Sequence, residues 1–277
     1  MSGGGDRSAW TVSPYQSILD HVPPAMLVIF RVGGLMIFGP VFGSSVIPGR
    51  VKVLLAALIG AAVYPLLAGR FVSPPVELKL WSLGPMLAVE LLIGVVVGYL
   101  ASIPLIATQT GGLLMGQQMG LGFARFYNPS MDAQSSIVGQ LLFFMALAGF
   151  LLIGGHEALV LAVLRSFDYI PLGGFAIELN TIDLVTGLLL AAFELALRVA
   201  APVLTLVFLE SLMMGYLAKT VPQLNILSLG FPIRIIAGLG MLLLSLYVMN
   251  EVIIDGIDVM LNRMFLWIGG CSPAAIG

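Results

Sequence analysis

The chain has 277 residues, of which 59% are hydrophobic and only 9% charged, and its mean hydropathy is +1.07. Soluble domains carry about 25% charged residues, so this composition excludes a soluble globular protein and indicates an all-α integral membrane protein. A formal net charge of −2 leaves no basic face for nucleic acid, and the single cysteine, Cys271, excludes an intrachain disulfide or a multi-cysteine metal site.

Met1–Asp20 is a Gly/Ser-rich polar tail in which Trp10 and Tyr15 suit a membrane interface. Met1–His21 lacks a basic n-region, which argues against a cleavable leader. About six hydrophobic helical segments follow. The first runs from about Pro24 to Phe42 and contains Arg31 and the pair Gly33–Gly34. The connector Gly43–Arg50 leads to the second, Val51–Leu67, and a Pro-containing polar loop occupies Arg70–Trp81. The third covers Leu83–Ile106, with Glu90, Gly94 and Gly98 inside it, and the fourth is Ile137–Ile153. In His156–Asp168 apolar residues recur at helical spacing among charges, which predicts an amphipathic helix lying along an interface or packing in a bundle. The fifth segment, Ile182–Leu217, is overlong for the roughly 20 residues a bilayer needs, so it must tilt, break at Pro202 or project beyond the lipid. The sixth, Ile226–Ile254, is interrupted by Gly230, Pro232 and Arg234, and an acidic turn at Asp255 opens the C-terminal tail.

Between the third and fourth segments lies Thr110–Pro129 (TGGLLMGQQMGLGFARFYNP), which is unlike its surroundings. It holds Gly111, Gly112, Gly116, Gly120 and Gly122, the methionines Met115 and Met119, the amides Gln117 and Gln118, and Phe123. Glycine costs about 1 kcal/mol per position in a helix interior, so the run resists being one straight span. Irregular backbone at membrane depth survives only when buried in protein or lining a water-filled cavity, so the stretch is expected to line or close a pore. Flexible methionines suit a deformable seal. The bland reading stays open: Gly112, Gly116 and Gly120 have the spacing of a small-residue helix interface, and the methionines suit ordinary packing.

Six charges fall inside apolar segments: Arg31, Glu90, Glu194, Arg198, Glu210 and Arg234. Each costs about 2.5–3.5 kcal/mol on insertion scales and is expected to face protein or water. One reading is a proton or ion relay; the other is a set of paired charges that register helices or meet partner subunits. Glu194 and Arg198 stand at i, i+4 with the acid first, the favourable order for an intrahelical pair. Basic residues do not orient the chain. A six-span topology puts Arg7, Arg70, Lys79, Arg165 and Arg263 on one side and Arg50, Lys52, Arg125 and Lys219 on the other.

Enzyme signatures fail. His156–Glu157 begins like H-E-x-x-H, but position 160 is Val. Gly120 and Gly122 would need a third glycine at 125, where Arg stands. No P-loop is present, and neither an enzyme nor a cofactor is expected.

Gly116–Pro129 (GQQMGLGFARFYNP) resembles the signature loop of the R subunit of the bacterial flagellar export gate, the FliR/SctT family of type III secretion. Ile47–Lys52 (IPGRVK), Gly155–Gly173 (GHEALVLAVLRSFDYIPLG) and Val221–Ile233 (VPQLNILSLGFPI) match in the same order, and the likeness covers about Asp20 to Leu266. Asn128 departs from the family's usual Asp before the proline, which bears on a charge-dependent role there, although Asn still suits the turn.

The resemblance implies a P-subunit-like portion followed by a Q-subunit-like hairpin, hence broken helical hairpins rather than six conventional spans. It implies a polar tail over 1–20, one helical export-gate domain over 21–266 and a C-terminal tail over 267–277. It implies one copy assembled with P and Q subunits beside FlhB- and FlhA-type export components, passing unfolded flagellar proteins. The place implied is the inner membrane at the flagellar basal body, partly at periplasmic level. The loop matching Gly111–Phe123 is, by this likeness, a plug in the closed channel. The alternatives are the equivalent subunit of a virulence injectisome, a secondary transporter using Glu90, Glu194 and Arg198, and a scaffold that lines no lumen.

Overall fold

With no water in a bilayer to satisfy the backbone, a chain this apolar must bond its amides within helices. The computed structural model of the chain describes residues 14–68, 80–123, 136–172, 179–221 and 226–270. Among these the regular elements are all helical: α1 (Pro14–Phe38), α2 (Gly49–Ala68), α3 (Leu80–Gln118), a 3-10 turn (Leu121–Phe123), α4 (Ile137–Leu152), α5 (Gly155–Tyr169), α6 (Leu179–Thr220) and α7 (Ile226–Gly270). Among the described residues five helices are long and apolar enough to cross a membrane, and α4 with α5, bent by 65° at their junction, makes a sixth candidate as a broken span.

The glycine and proline punctuation breaks fewer helices than its local cost suggests. α3 is unbroken through Gly111, Gly112 and Gly116 and stops only at Gln118. α6 runs through Pro202, and α7 runs through Gly230, Pro232 and the acidic residues Asp255 and Asp258. Each local penalty of about 1–3 kcal/mol is outweighed by the hydrogen bonds that flanking residues keep in a dry setting. The 42 residues of α6 extend about 63 Å at 1.5 Å per residue, twice the roughly 30 Å of bilayer hydrocarbon. Without a break at Pro202, α6 must project beyond the lipid or tilt steeply.

The described residues form two compact units. The first consists of α1, α2, α3 up to Tyr99 and α5 from Leu161 onward. Its core includes Leu27, Val28, Leu35, Ile93 and Val97. The crossing of α1 and α3 is set by glycine. A Cβ on Gly34 would collide with the carbonyl of Leu91, and one on Gly94 would collide with the carbonyl of Arg31. Gly98 makes a further, less extreme approach, its Cβ position lying 2.8 Å from the Gly39 amide nitrogen. Backbone thus meets backbone, as in small-residue contacts between membrane helices.

The second unit consists of α3 from Leu100 onward, α4, the start of α5, α6 and α7. α6 and α7 pack as an antiparallel hairpin around Leu188, Leu195, Val199, Val203, Ile253 and Ile257. α4 lies on α7, with Gly149 against Ile254. Ser136 caps α4: its hydroxyl accepts from the Gly139 amide, satisfying one of the first-turn donors.

The expected N-terminal tail to residue 13, nearly all of the loop at Arg70–Trp81, the Asn128–Pro129 turn and the tail beyond Gly270 lie outside the described residues.

Candidate functional site: the end of the third helix and the buried charges

The glycine-methionine stretch belongs to the second unit. Up to Gln118 its glycines are helical and serve close contacts. A Cβ on Gly111 would stand 2.7 Å from the Ala196 carbonyl oxygen of α6. One on Gly112 would stand 2.6 Å from Gly139 Cα of α4, and one on Gly116 2.9 Å from Ser136 Oγ. The small-residue interface weighed from spacing is therefore present at Gly112 and Gly116. Gln117 and Gln118 lie on the exposed side, where the amides have no desolvation to repay.

The helix ends at Gln118 and the chain turns at Gly120. Met119 N donates to Met115 O at 2.9 Å and Gly120 N to Gln117 O at 3.0 Å, after which Gly120 takes φ +82°. Glycine enters this left-handed region without Cβ strain, and a glycine there is a common way to end a helix. Gly122 follows in the short 3-10 turn that closes at Phe123. Met115 and Met119 are both fully buried. Met119 fills the space that Gly238 of α7 leaves open, and the Phe231 ring lies over Gly120. In this arrangement the methionine side chains are committed to internal packing.

The six charges inside apolar segments form three ion pairs. In the first unit, Arg31 Nε donates to Glu90 Oε2 at 2.5 Å, with neither side chain exposed. Gly34 stands three residues after Arg31 and Gly94 four after Glu90, so the close crossing of α1 and α3 brings the charges together. Arg31 also donates to Ser166 Oγ at 3.0 Å and to the Ile170 carbonyl at 3.2 Å, and its guanidinium lies 4.1 Å from the Phe167 ring centroid. Ser166 in turn donates to the Val163 carbonyl at 2.6 Å. These partners offset the several kcal/mol that removing each ion from water costs, roughly by adding charge-assisted bonds and a cation–π contact.

In the second unit, Arg198 reaches Glu194 at 2.5 Å along one exposed face of α6, the i, i+4 pair read from spacing. The pair lines a cleft of about 270 Å³ between α6 and α7 together with Asp255 and Arg263, whose Nη1 donates to the Gly187 carbonyl at 3.0 Å. Arg234 of α7 donates through Nε to Glu210 Oε2 at 2.9 Å and through Nη2 to Ser211 Oγ at 2.9 Å. Glu210 is about nine-tenths buried, and among the described residues no group donates to its Oε1.

Sequence reasoning did not find Ser166, Phe167 and Ile170 as partners of Arg31, nor Phe231 and Gly238 as neighbours of the glycine-methionine stretch. For the second pair a signal existed. Phe231, Arg234 and Gly238 recur at helical spacing on one face.

Residues 22–260 match the family model described as bacterial export proteins, family 1. The chain is 31% identical over 215 residues to the flagellar biosynthetic protein FliR of Escherichia coli K12, covering 77% of this chain and 80% of that protein. It is 28% identical over 253 residues to the protein of the same name from Bacillus subtilis 168, covering 90% and 95%. It is 28% identical over 190 residues to Yop proteins translocation protein T of Yersinia pestis, covering 68% and 71%. A match that takes in α2 to α6 and most of α1 and α7, with both the glycine-methionine stretch and the three ion pairs inside it, leaves one conclusion: the chain belongs to the bacterial export proteins, family 1.

Proposed function

We propose that this chain is a channel-forming subunit of the bacterial flagellar type III export gate, needed for export of flagellar proteins and so for flagellum assembly. The observation that carries this is the family match over residues 22–260 together with flagellar relatives that align along most of their own length. An all-helical membrane chain with three helices of about twice bilayer length fits a subunit embedded among others rather than a lone spanning bundle. Its neighbours in this reading are P and Q subunits, with FlhB- and FlhA-type components alongside, at the inner membrane. Many large apolar side chains of α6 and α7, among them Leu190, Phe193, Leu244 and Tyr247, are exposed in the single chain, and such patches call for lipid or protein cover.

Within that gate, the stretch Gly111–Phe123 obstructs the closed channel. Its support is the helix stop at Gly120, the turn through Gly122 and two methionines able to repack. No step of this function requires catalysis by the chain. Energy must come from partners.

An in-frame deletion of the gene tests the reading. Flagellin and hook protein should vanish from culture supernatants and return on complementation. If secretion is untouched, the functional assignment fails. Deleting part of 111–123 should make cells that overproduce the gate leak ions, and unchanged permeability would sink the plug. A second reading, an injectisome subunit, is favoured by the likeness to the Yersinia translocation protein. It would show as loss of a different set of secreted proteins with normal flagella.

A further inference from the structure

Phe231, Arg234 and Gly238 share one face of α7. Two of them hold the end of α3. The Phe231 ring edge lies 2.7 Å from where a Cβ on Gly120 would stand, and a Cβ on Gly238 would collide with Met119, 2.5 Å from its Cγ. Met119 has no exposed surface. Between these contacts Arg234 reaches across to α6, binding Glu210 and Ser211.

We propose that this face of α7 is the seat of the Met119–Gly120 end of α3, that the Glu210–Arg234 pair braces the seat against α6, and that the stretch leaves it when the gate opens. The proposal rests on the reading of Gly111–Phe123 as the obstruction of the closed channel. Its grounds are the kinds of contact made. Met119 is unbranched and flexible and meets a glycine, so no side chain at 238 opposes its withdrawal. Gly120 sits at φ +82°, where a residue without Cβ can swing at little cost. The brace is a buried carboxylate with one oxygen bound and the other lacking a donor among the described residues. A half-satisfied buried ion holds a position without being strongly stabilised in it. Such a contact suits a closed state that must be given up repeatedly.

The geometry supplies its own test. The Cβ position of residue 238 lies 3.6 Å from Met119 Cβ, inside the roughly 3.5–4.5 Å that a disulfide spans. M119C/G238C, carried with C271S in the complete gate, should form an internal cross-link on mild oxidation, read as loss of both thiols to a maleimide of high mass. Export of flagellin should then fall to the background of the deletion strain and return when the disulfide is reduced. Export continuing at the reduced rate through a fully cross-linked gate overturns the proposal, and so does failure of the two cysteines to link. Should the variant export nothing even when reduced, E210Q decides. Removing the charge that holds Arg234 should raise ion leak in cells overproducing the gate, and unchanged permeability overturns the brace. The two levels separate cleanly. If deletion of 111–123 leaks while E210Q does not, the brace fails and the plug stands; if neither leaks, the plug itself fails.

Discussion

The Arg31 guanidinium and the Glu90 carboxylate meet at 2.5 Å across the crossing of α1 and α3, and neither side chain has any exposed surface. Replacing Glu90 with Leu would leave Arg31 buried with only neutral partners. The expected cost is about 3–5 kcal/mol, the usual price of breaking rather than removing a buried pair. R31M/E90L, which takes out both charges, should recover most of that loss. Thermal unfolding of the detergent-purified chain distinguishes the cases. A double variant as unstable as E90L would mean that the pair is not what the site depends on.

Neighbouring glycines in α1 should respond oppositely to alanine. A Cβ on Gly33 meets only Ala56 Cβ at 4.0 Å, whereas one on Gly34 collides with the backbone of α3. G33A should gain up to about 1 kcal/mol from helix propensity. G34A should lose about 1–3 kcal/mol as α1 and α3 are forced apart. The same unfolding assay reads both, and equal effects would contradict the close crossing.

Gly120→Ala combines two penalties that can be separated. The left-handed backbone costs an L-residue about 1–2 kcal/mol, and the new methyl meets the Phe231 ring edge at 2.7 Å. F231A in the G120A background should relieve the steric part and leave the backbone part. A full return to the stability of F231A alone would show that conformation at 120 does not matter.

For Glu194 and Arg198 the expectation is the reverse of that for Arg31 and Glu90. Both are more than half exposed in the single chain, so E194Q/R198Q should cost it about 0.5 kcal/mol or less, the range of i, i+4 pairs. The effect should instead appear in recovery of P and Q subunits with the tagged chain, because the pair lines a cleft between α6 and α7 with Asp255 and Arg263. Unchanged recovery would remove this cleft from the assembly surfaces.

How much could be read without coordinates differs by element. The Glu194–Arg198 pair was legible because i, i+4 neighbours on a helix meet whatever the tertiary fold. The other two pairs were not, although all four residues stood out as charges in apolar segments. Arg31 and Glu90 are 59 residues apart and Glu210 and Arg234 are 24 apart, and separations of that kind carry no geometric information by themselves. The glycine-methionine stretch stands out in the sequence as a run that resists forming one straight helix. Backbone propensity argued for a break, and contacts with Ala196, Gly139 and Ser136 give those glycines a reason to remain helical.

By itself, the sequence determined the membrane class, the order of the helical segments though not their ends, the amphipathic α5 and membership of the export family. Composition, hydrophobic period and local motif act over a few residues and survive in any arrangement of the helices. Only the tertiary structure decided which buried charges meet, that α3 continues to Gln118 before Gly120 turns it, and that Met119 rests against Gly238. Each of those outcomes depends on how closely two helix backbones approach. That distance is set by which small residues face each other across a crossing, and no local pattern contains it.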